Sequence, residues 1–258
     1  MENNNHKITS LKRDEGFIVT NSFLKLTNKL KSLKNTKGRI ILVTGAPGTG
    51  KSSNIYHALN VIDLNYYEPI LLIDSTKKSS KEVYNQIYNV LGEDLHVKTE
   101  EEVFKKLSNY DAVLVADKFL DSEFLEDNKI GLAEWTDNKT ILSLPFFLMW
   151  IVETIRHRKA LKEINLVFQT AWTIKIRGTK YDLITDFGLF SALLSGILKR
   201  LFEVVEIVYT EAETIKIINS HLKDVNEEEI MFYIKKYGNN PRYILNDLDN
   251  NLTKNSMV

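Results

Sequence analysis

The 258 residues suffice for one α/β core and a small appended domain. Apolar residues make up 43% and charged residues 26%, as in a soluble globular protein, while 34 basic against 34 acidic residues give zero formal charge. That balance removes the simplest argument for a nucleic-acid partner, although a local basic patch would still allow one, and the lack of cysteine excludes disulfides, thiolate metal sites and cysteine catalysis and fits a cytoplasmic protein.

The first six residues are polar and lack the apolar stretch of a signal peptide. Residues 1–15 carry no pattern and read as a lead-in. Over 22–33, Phe23, Leu26, Leu30 and Leu33 recur at three- and four-residue steps, which predicts an amphipathic helix. The continuous apolar run 39–44 predicts a buried strand of a parallel sheet covered on both faces. A helix is expected after Gly50, with Ile55, Leu59 and Ile62 inward, then a second buried strand over 69–74.

Ser79 with Glu82 reads as a capping box opening a helix with Val83, Ile87, Val90 and Leu91 on one side, and Gly92 is placed to end it. Thr99 and Glu102 suggest another capping box. A third strand is expected over 112–116, a fourth over 165–168 and a fifth over 202–208. Strands alternating with helices predict a mostly parallel α/β sheet. Residues 118–140 lack periodicity and read as an insertion. The apolar stretch 141–152 is far short of the ~20 residues a membrane span needs, so a buried helix is expected there and no membrane contact.

After Tyr209 the strand signals stop. Ala212, Ile215, Ile218 and Leu222 mark one helix; Asn226 with Glu229 caps a second that ends at Gly238; Asn240 serves as N-cap and Pro241 as first residue of a third. The expected organisation is a lead-in and helix (1–37), an α/β core (38–209), a small helical module (210–250) and a tail (251–258).

Gly45, Ala46, Pro47, Gly48, Thr49, Gly50, Lys51 and Ser52 fit G-x-x-x-x-G-K-[ST] in full, between an expected strand and an expected helix. Glycines let successive amide N–H groups turn inward around a phosphate, and the helix N-terminus adds free donors and the positive end of its dipole. Lys51 is placed to reach the β- and γ-phosphates, Ser52 to coordinate Mg²⁺, and Ser53 to lie near the α-phosphate. A nucleoside triphosphate is the implied ligand. The magnesium needs a carboxylate at the end of a neighbouring strand. Asp117 is preferred over Asp74 because it lies farther along the chain, after two intervening helices.

In its form of phosphate loop, in residues 198–218 and in residues 237–244 (Tyr-Gly-Asn-Asn-Pro-Arg-Tyr-Ile), the chain resembles the AAA+ ATPases, within the P-loop ATPases that carry an added central strand. The resemblance implies a three-layer P-loop NTPase sandwich with a C-terminal helical lid, ATP and Mg²⁺ as ligands, and a homo-oligomer or protein partner. It makes Arg242 a sensor 2 arginine approaching the γ-phosphate from the lid, Arg200 an arginine finger offered to a neighbour, and Thr170 a sensor 1 residue, with Gln169 competing. Residues 16–18 are candidates for lining the adenine pocket.

Two departures stand out. AAA+ proteins follow the magnesium aspartate with a glutamate that activates water, whereas Lys118 follows Asp117 here, and a charged lysine cannot accept that proton. Asp121 or Glu123 are the available substitutes. The lid is also short. The leading expectation is an AAA+-like ATPase; the alternative is a nucleotide-dependent switch with weak or no hydrolysis. A small-molecule P-loop kinase, using the basic cluster 156–159, and a DNA-handling ATPase have less support. The tryptophans and the five histidines, which show no metal-like spacing, read as packing or surface residues.

Overall fold

The computed structural model describes residues 16–69, 73–74, 79–110, 112–116, 129–130, 135, 144–169, 173–176, 179–184, 187–222 and 225–255. Its strands are β1 (Ile40–Thr44), β2 (Tyr66–Tyr67), β3 (Ile73–Asp74), β4 (Val113–Ala116), β5 (Lys129–Ile130), β6 (Leu166–Gln169), β7 (Thr173–Ile176), β8 (Thr179–Asp182) and β9 (Glu203–Glu206). Five of these form one sheet in the order β2-β4-β6-β1-β9, every neighbouring pair parallel. β6 lies between β1 and β4.

Side chains alternate across a strand, and β1 shows the result. Ile41 and Val43 point to one face and Leu42 to the other, all three fully buried. The first face packs against α1 (Asn21–Ser32) and α2 (Lys51–Val61), through Leu26, Leu30, Ile55 and Leu59. The second packs against α3 (Ser80–Leu95), α4 (Glu100–Ser108), α5 (Leu144–Arg156) and α7 (Leu189–Leu201), through Val83, Val103, Phe146 and Leu198. A short helix, α6 (Arg158–Leu161), joins α5 to β6. The fold is therefore a three-layer α/β sandwich of the P-loop NTPase class.

Helix starts follow local chemistry. Ser79 with Glu82 and Thr99 with Glu102 both form reciprocal capping boxes. Helix α3 does not stop at Gly92. It continues to Leu95 and closes on His96 in the left-handed region (φ 56°), while Gly92 O accepts from Val97 N at 2.8 Å. An added Cβ at Gly92 would stand 2.9 Å from the Val97 carbonyl oxygen. Close approach of the following turn, with no need for a stop, accounts for that glycine.

The expected second strand over 69–74 is also corrected. Within it, Ile73 and Asp74 pair antiparallel with β5 in a separate ribbon, while the sheet's edge is taken by Tyr66–Tyr67; residues 70–72 lie outside the described residues. The apolar stretch around 141–152 contributes to α5, which buries Phe146 and Phe147 but leaves Leu148 and Val152 exposed. No helix among the described residues is long and apolar enough to cross a membrane.

At the other edge, Glu203 at the start of β9 accepts hydrogen bonds from Arg39, just before β1, and from Lys29 of α1. Those from Arg39 do most to hold its carboxyl below the ordinary value of 4.5, against a smaller opposing effect of burial. A depressed carboxylate stabilises the fold at pH above its unfolded value, and that contribution is lost as pH falls through the folded one. Glu203→Gln is expected to flatten the acid limb of a melting-temperature profile below about pH 5. An acid limb unchanged by the substitution refutes this account.

Candidate functional site

The phosphate loop leaves β1 at Thr44 and enters α2 at Lys51. Two of its glycines are required by geometry. Gly45 has φ 150°, and an added Cβ would meet Ile207 O and Thr49 Oγ1, both at 2.8 Å. Gly48 has φ 89°, and its Cβ would stand 2.7 Å from Arg242 Cβ and 2.9 Å from Asn240 Oδ1. Gly50 caps α2 from the left-handed region and has no side chain to offer, so first-turn N–H groups keep their capacity for an anion.

Lys51 is buried and its Nζ donates to Gly45 O (3.0 Å) and Ala46 O (3.2 Å), so the ammonium lies inside the loop's curve. Ser52 Oγ accepts from Gln169 Nε2 at 3.2 Å. Gln169 ends β6, the strand next to β1, and is itself buried. Ser53 is exposed.

Tyr209, three residues beyond β9, donates to Thr49 O at 2.7 Å and accepts from Asn54 Nδ2 at 3.1 Å. Asn54 Nδ2 also donates to Gly50 O. Burial raises the Tyr209 pKa above its ordinary value, which keeps this phenol a donor at neutral pH. The chain thus touches the loop just before it enters the C-terminal helices.

Those helices are α8 (Glu211–His221), α9 (Glu227–Tyr237) and α10 (Pro241–Asn255), packed around Ile218, Ile230, Tyr233, Ile244 and Leu248. Thr210 and Glu213 form a capping box for α8. Asn226 caps α9 through Glu228 N, one residue earlier than expected. Asn240 departs further from its expected role. Its side chain does not cap α10: Nδ2 donates to Pro47 O at 2.8 Å, and the buried Oδ1 has no hydrogen-bond partner.

Between the α/β core and the C-terminal helices lies a cleft of about 270 Å³. Gly16, Phe17 and Ile18 line one wall, Gly48, Thr49 and Ser53 the floor, and Ile217, His221 and Arg242 the lid side. Phe17 stacks on His57 of α2, ring centroids 3.8 Å apart, which fixes the wall against the core. An apolar wall beside a glycine-rich loop at a helix N-terminus is a shape that accepts a base and a phosphate chain together.

The structure brings Gly48, Thr49, Gly50 and Ser53 of the loop, Arg242 and the 16–18 segment to this one cleft, while Gly45, Ala46, Pro47, Lys51 and Ser52 are not among its lining residues. Arg200 is not there. It is exposed in the last turn of α7, ahead of β9, at the end of the strands opposite the loop. Asp74 belongs to the small antiparallel ribbon. Asp117, Lys118, Asp121, Glu123 and Thr170 lie outside the described residues. Sequence reading missed Asn54 and Tyr209. Tyr209 carries a usable signal, being a polar aromatic where strand gives way to lid; an asparagine inside a helix carries none.

No family model matches the chain, and no curated protein matches it. Among solved structures it is similar to the DnaC helicase loader, at 15% identity and a TM-score of 0.35, covering 74% of this chain and 93% of that one. It is also similar to a Pif1 helicase, from a structure concerning unwinding of forked double-stranded DNA by two coordinating Pif1 helicases. There the identity is 15% and the TM-score 0.33, over 84% of this chain, which spans about half (51%) of that one.

Proposed function

We propose that the chain is an ATP-binding, AAA+-like ATPase that couples nucleotide binding and hydrolysis to movement of its lid, acting in a homo-oligomer or on a protein partner. The observation that carries this reading is the seating of the lid on the phosphate loop: Asn240 bonded to Pro47, and Arg242 packed against Gly48. A lid resting on the loop feels what the loop holds. In this reading Lys51 turns from the loop carbonyls to the β- and γ-phosphates, and Ser52 holds Mg²⁺, with Asp117 as its carboxylate partner and Thr170 or Gln169 as sensor 1. Arg242 approaches the γ-phosphate, so loss of that phosphate changes the lid's preferred angle.

Arg242→Ala is the direct test. Steady-state turnover is expected to fall about 10–100-fold, equivalent to ~1.4–2.7 kcal/mol of transition-state stabilisation. ATP affinity is expected to change by less than about threefold, since Lys51 and the loop amides supply most ground-state binding. Unchanged turnover overturns the role given to the lid. A second reading, a switch that binds ATP and hydrolyses it poorly, rests on Lys118 standing where a water-activating glutamate is expected. Tight ATP binding by the wild type with no turnover favours it.

A further inference from the structure

On the sheet face opposite α1 and α2, three side chains from separate places in the chain converge: Glu100 at the first position of α4, Glu153 in α5, and His157 between α5 and α6. One ligand atom from each lies within 4.8 Å of the other two. His157 Nε2 is 2.8 Å from Glu100 Oε1 and 3.4 Å from Glu153 Oε2. The imidazole is held in place by stacking on Phe104, centroids 4.8 Å apart. Behind Glu100, hydrogen bonding and charge link it to the Tyr88 hydroxyl, which pairs with Tyr84 at 2.8 Å.

An ion pair alone does not account for this geometry. His157 Nε2 and Glu100 Oε1 are each shielded from solvent, and despite their closeness neither has a hydrogen-bond partner. One nitrogen also cannot aim a single proton at two carboxylates. Glu153 already accepts from Arg156 Nη1 through both oxygens, at 3.2 and 3.3 Å; a cation between the three atoms would satisfy the other two and draw on the remaining lone pairs of Glu153 Oε2. Tetrahedral coordination at about 2.05 Å places ligand atoms about 3.3 Å apart. The His157–Glu153 separation already meets that value. The His157–Glu100 contact needs to open by about 0.5 Å, and the Glu100 side chain, 41% exposed, has room to do so.

We propose that Glu100, Glu153 and His157 form a binding site for a borderline divalent transition metal such as Zn²⁺, with water completing the coordination. The imidazole nitrogen selects against Mg²⁺, which takes oxygen ligands, so the site is separate in chemistry and place from the magnesium position at Ser52. Bound metal ties the start of α4 to the end of α5. The effect belongs to stability of that helical layer and leaves nucleotide affinity alone. The i,i+4 spacing of Glu153 and His157 was present in the sequence; a search for histidine pairs passes over it.

Calorimetric titration of the chelator-treated full chain with Zn²⁺ tests this, with Mg²⁺ as control. One Zn²⁺ per chain is expected, with no matching heat from Mg²⁺ and a raised melting temperature. Co²⁺ in place of Zn²⁺ should give the strong visible bands of a tetrahedral site. His157→Gln and Glu153→Gln should each weaken Zn²⁺ binding by at least about 100-fold, and Tyr88→Phe, which removes a group orienting a ligand, by about tenfold. Circular dichroism and ATP affinity matching wild type show that each variant is folded; where one fails, the other two decide. No Zn²⁺ uptake by the wild type, or uptake undiminished in the folded variants of His157 and Glu153, overturns the proposal.

Discussion

Lys51→Ala is expected to abolish measurable ATP turnover and to weaken binding of ATP with Mg²⁺ by about 10²–10³-fold. The magnitude follows from the loss of one charged donor aimed at the phosphates, worth ~3–4 kcal/mol in a partly dry site. The variant should remain folded. Lys51 donates to Gly45 O and Ala46 O, backbone bonds each worth about 1 kcal/mol, so their loss is small beside the stability of the fold. Competition with a fluorescent ATP analogue gives the affinity, and phosphate release gives the turnover. Wild-type affinity and wild-type turnover in the folded variant would remove the loop from the binding site. Turnover lost with affinity kept would make Lys51 a residue of the chemical step alone.

Gly38→Ala is expected to produce a large loss of stability far from the nucleotide. Gly38 sits just before β1 with φ 76°, and an added Cβ would stand 2.4 Å from Lys162 O, 2.8 Å from its Cα and 2.9 Å from its C. All three are backbone atoms, so no side chain can swing aside. The left-handed conformation costs ~1–2 kcal/mol and forced separation ~1–3 kcal/mol more. Together these give about 3 kcal/mol, or a fall in melting temperature of roughly 6–12 °C for a chain of this size. The same separation loosens Arg39 N from Asn165 Oδ1 and Leu166 N from Arg39 O, the bonds that start the β1–β6 pairing. Gly196→Ala supplies the contrast. It lies inside α7 with open space at its Cβ, and alanine there should stabilise by about 0.5–1 kcal/mol. Equal melting temperatures for the two variants would refute the steric argument.

The sheet's centre was legible because its strands are buried on both sides. Runs such as 40–43 and 166–168 are apolar without alternation, as expected of a parallel strand covered on both faces. Capping chemistry at Ser79 and Thr99 is equally local, since the cap and its partner are three residues apart. The edges were harder to read. Tyr66–Tyr67 is two residues long and polar at its tips, so its place beside β4 rests on pairing that no short window contains. Gly92 was misread for a related reason. A glycine near a helix end fits both a stop and a close approach, and the contact that decides comes from Val97 folding back. At the site, the loop was readable residue by residue because its spacing is itself the chemistry. Asn240 was legible as a helix-start residue, while its hydrogen bond to Pro47, 193 positions away, belongs to the tertiary fold.

The place of Arg200 has a consequence for what counts as one working unit. Strand β9 runs parallel to β1 with Glu203 level with Ile41 and Glu206 level with Thr44. Arg200 precedes one end of that register, and Gly45 follows the other. At about 3.3 Å per residue, at least ~10 Å of sheet separates them. Arg200 ends a helix packed on the sheet and Gly45 leaves a strand of it, so no swing of the C-terminal helices shortens that distance. On the oligomeric reading proposed above, Arg200 serves a neighbouring molecule's phosphates and not its own. Turnover is then expected to fall on dilution and return on crowding, and a copy carrying Arg200→Ala is expected to be rescued only by the intact arginine of its neighbour.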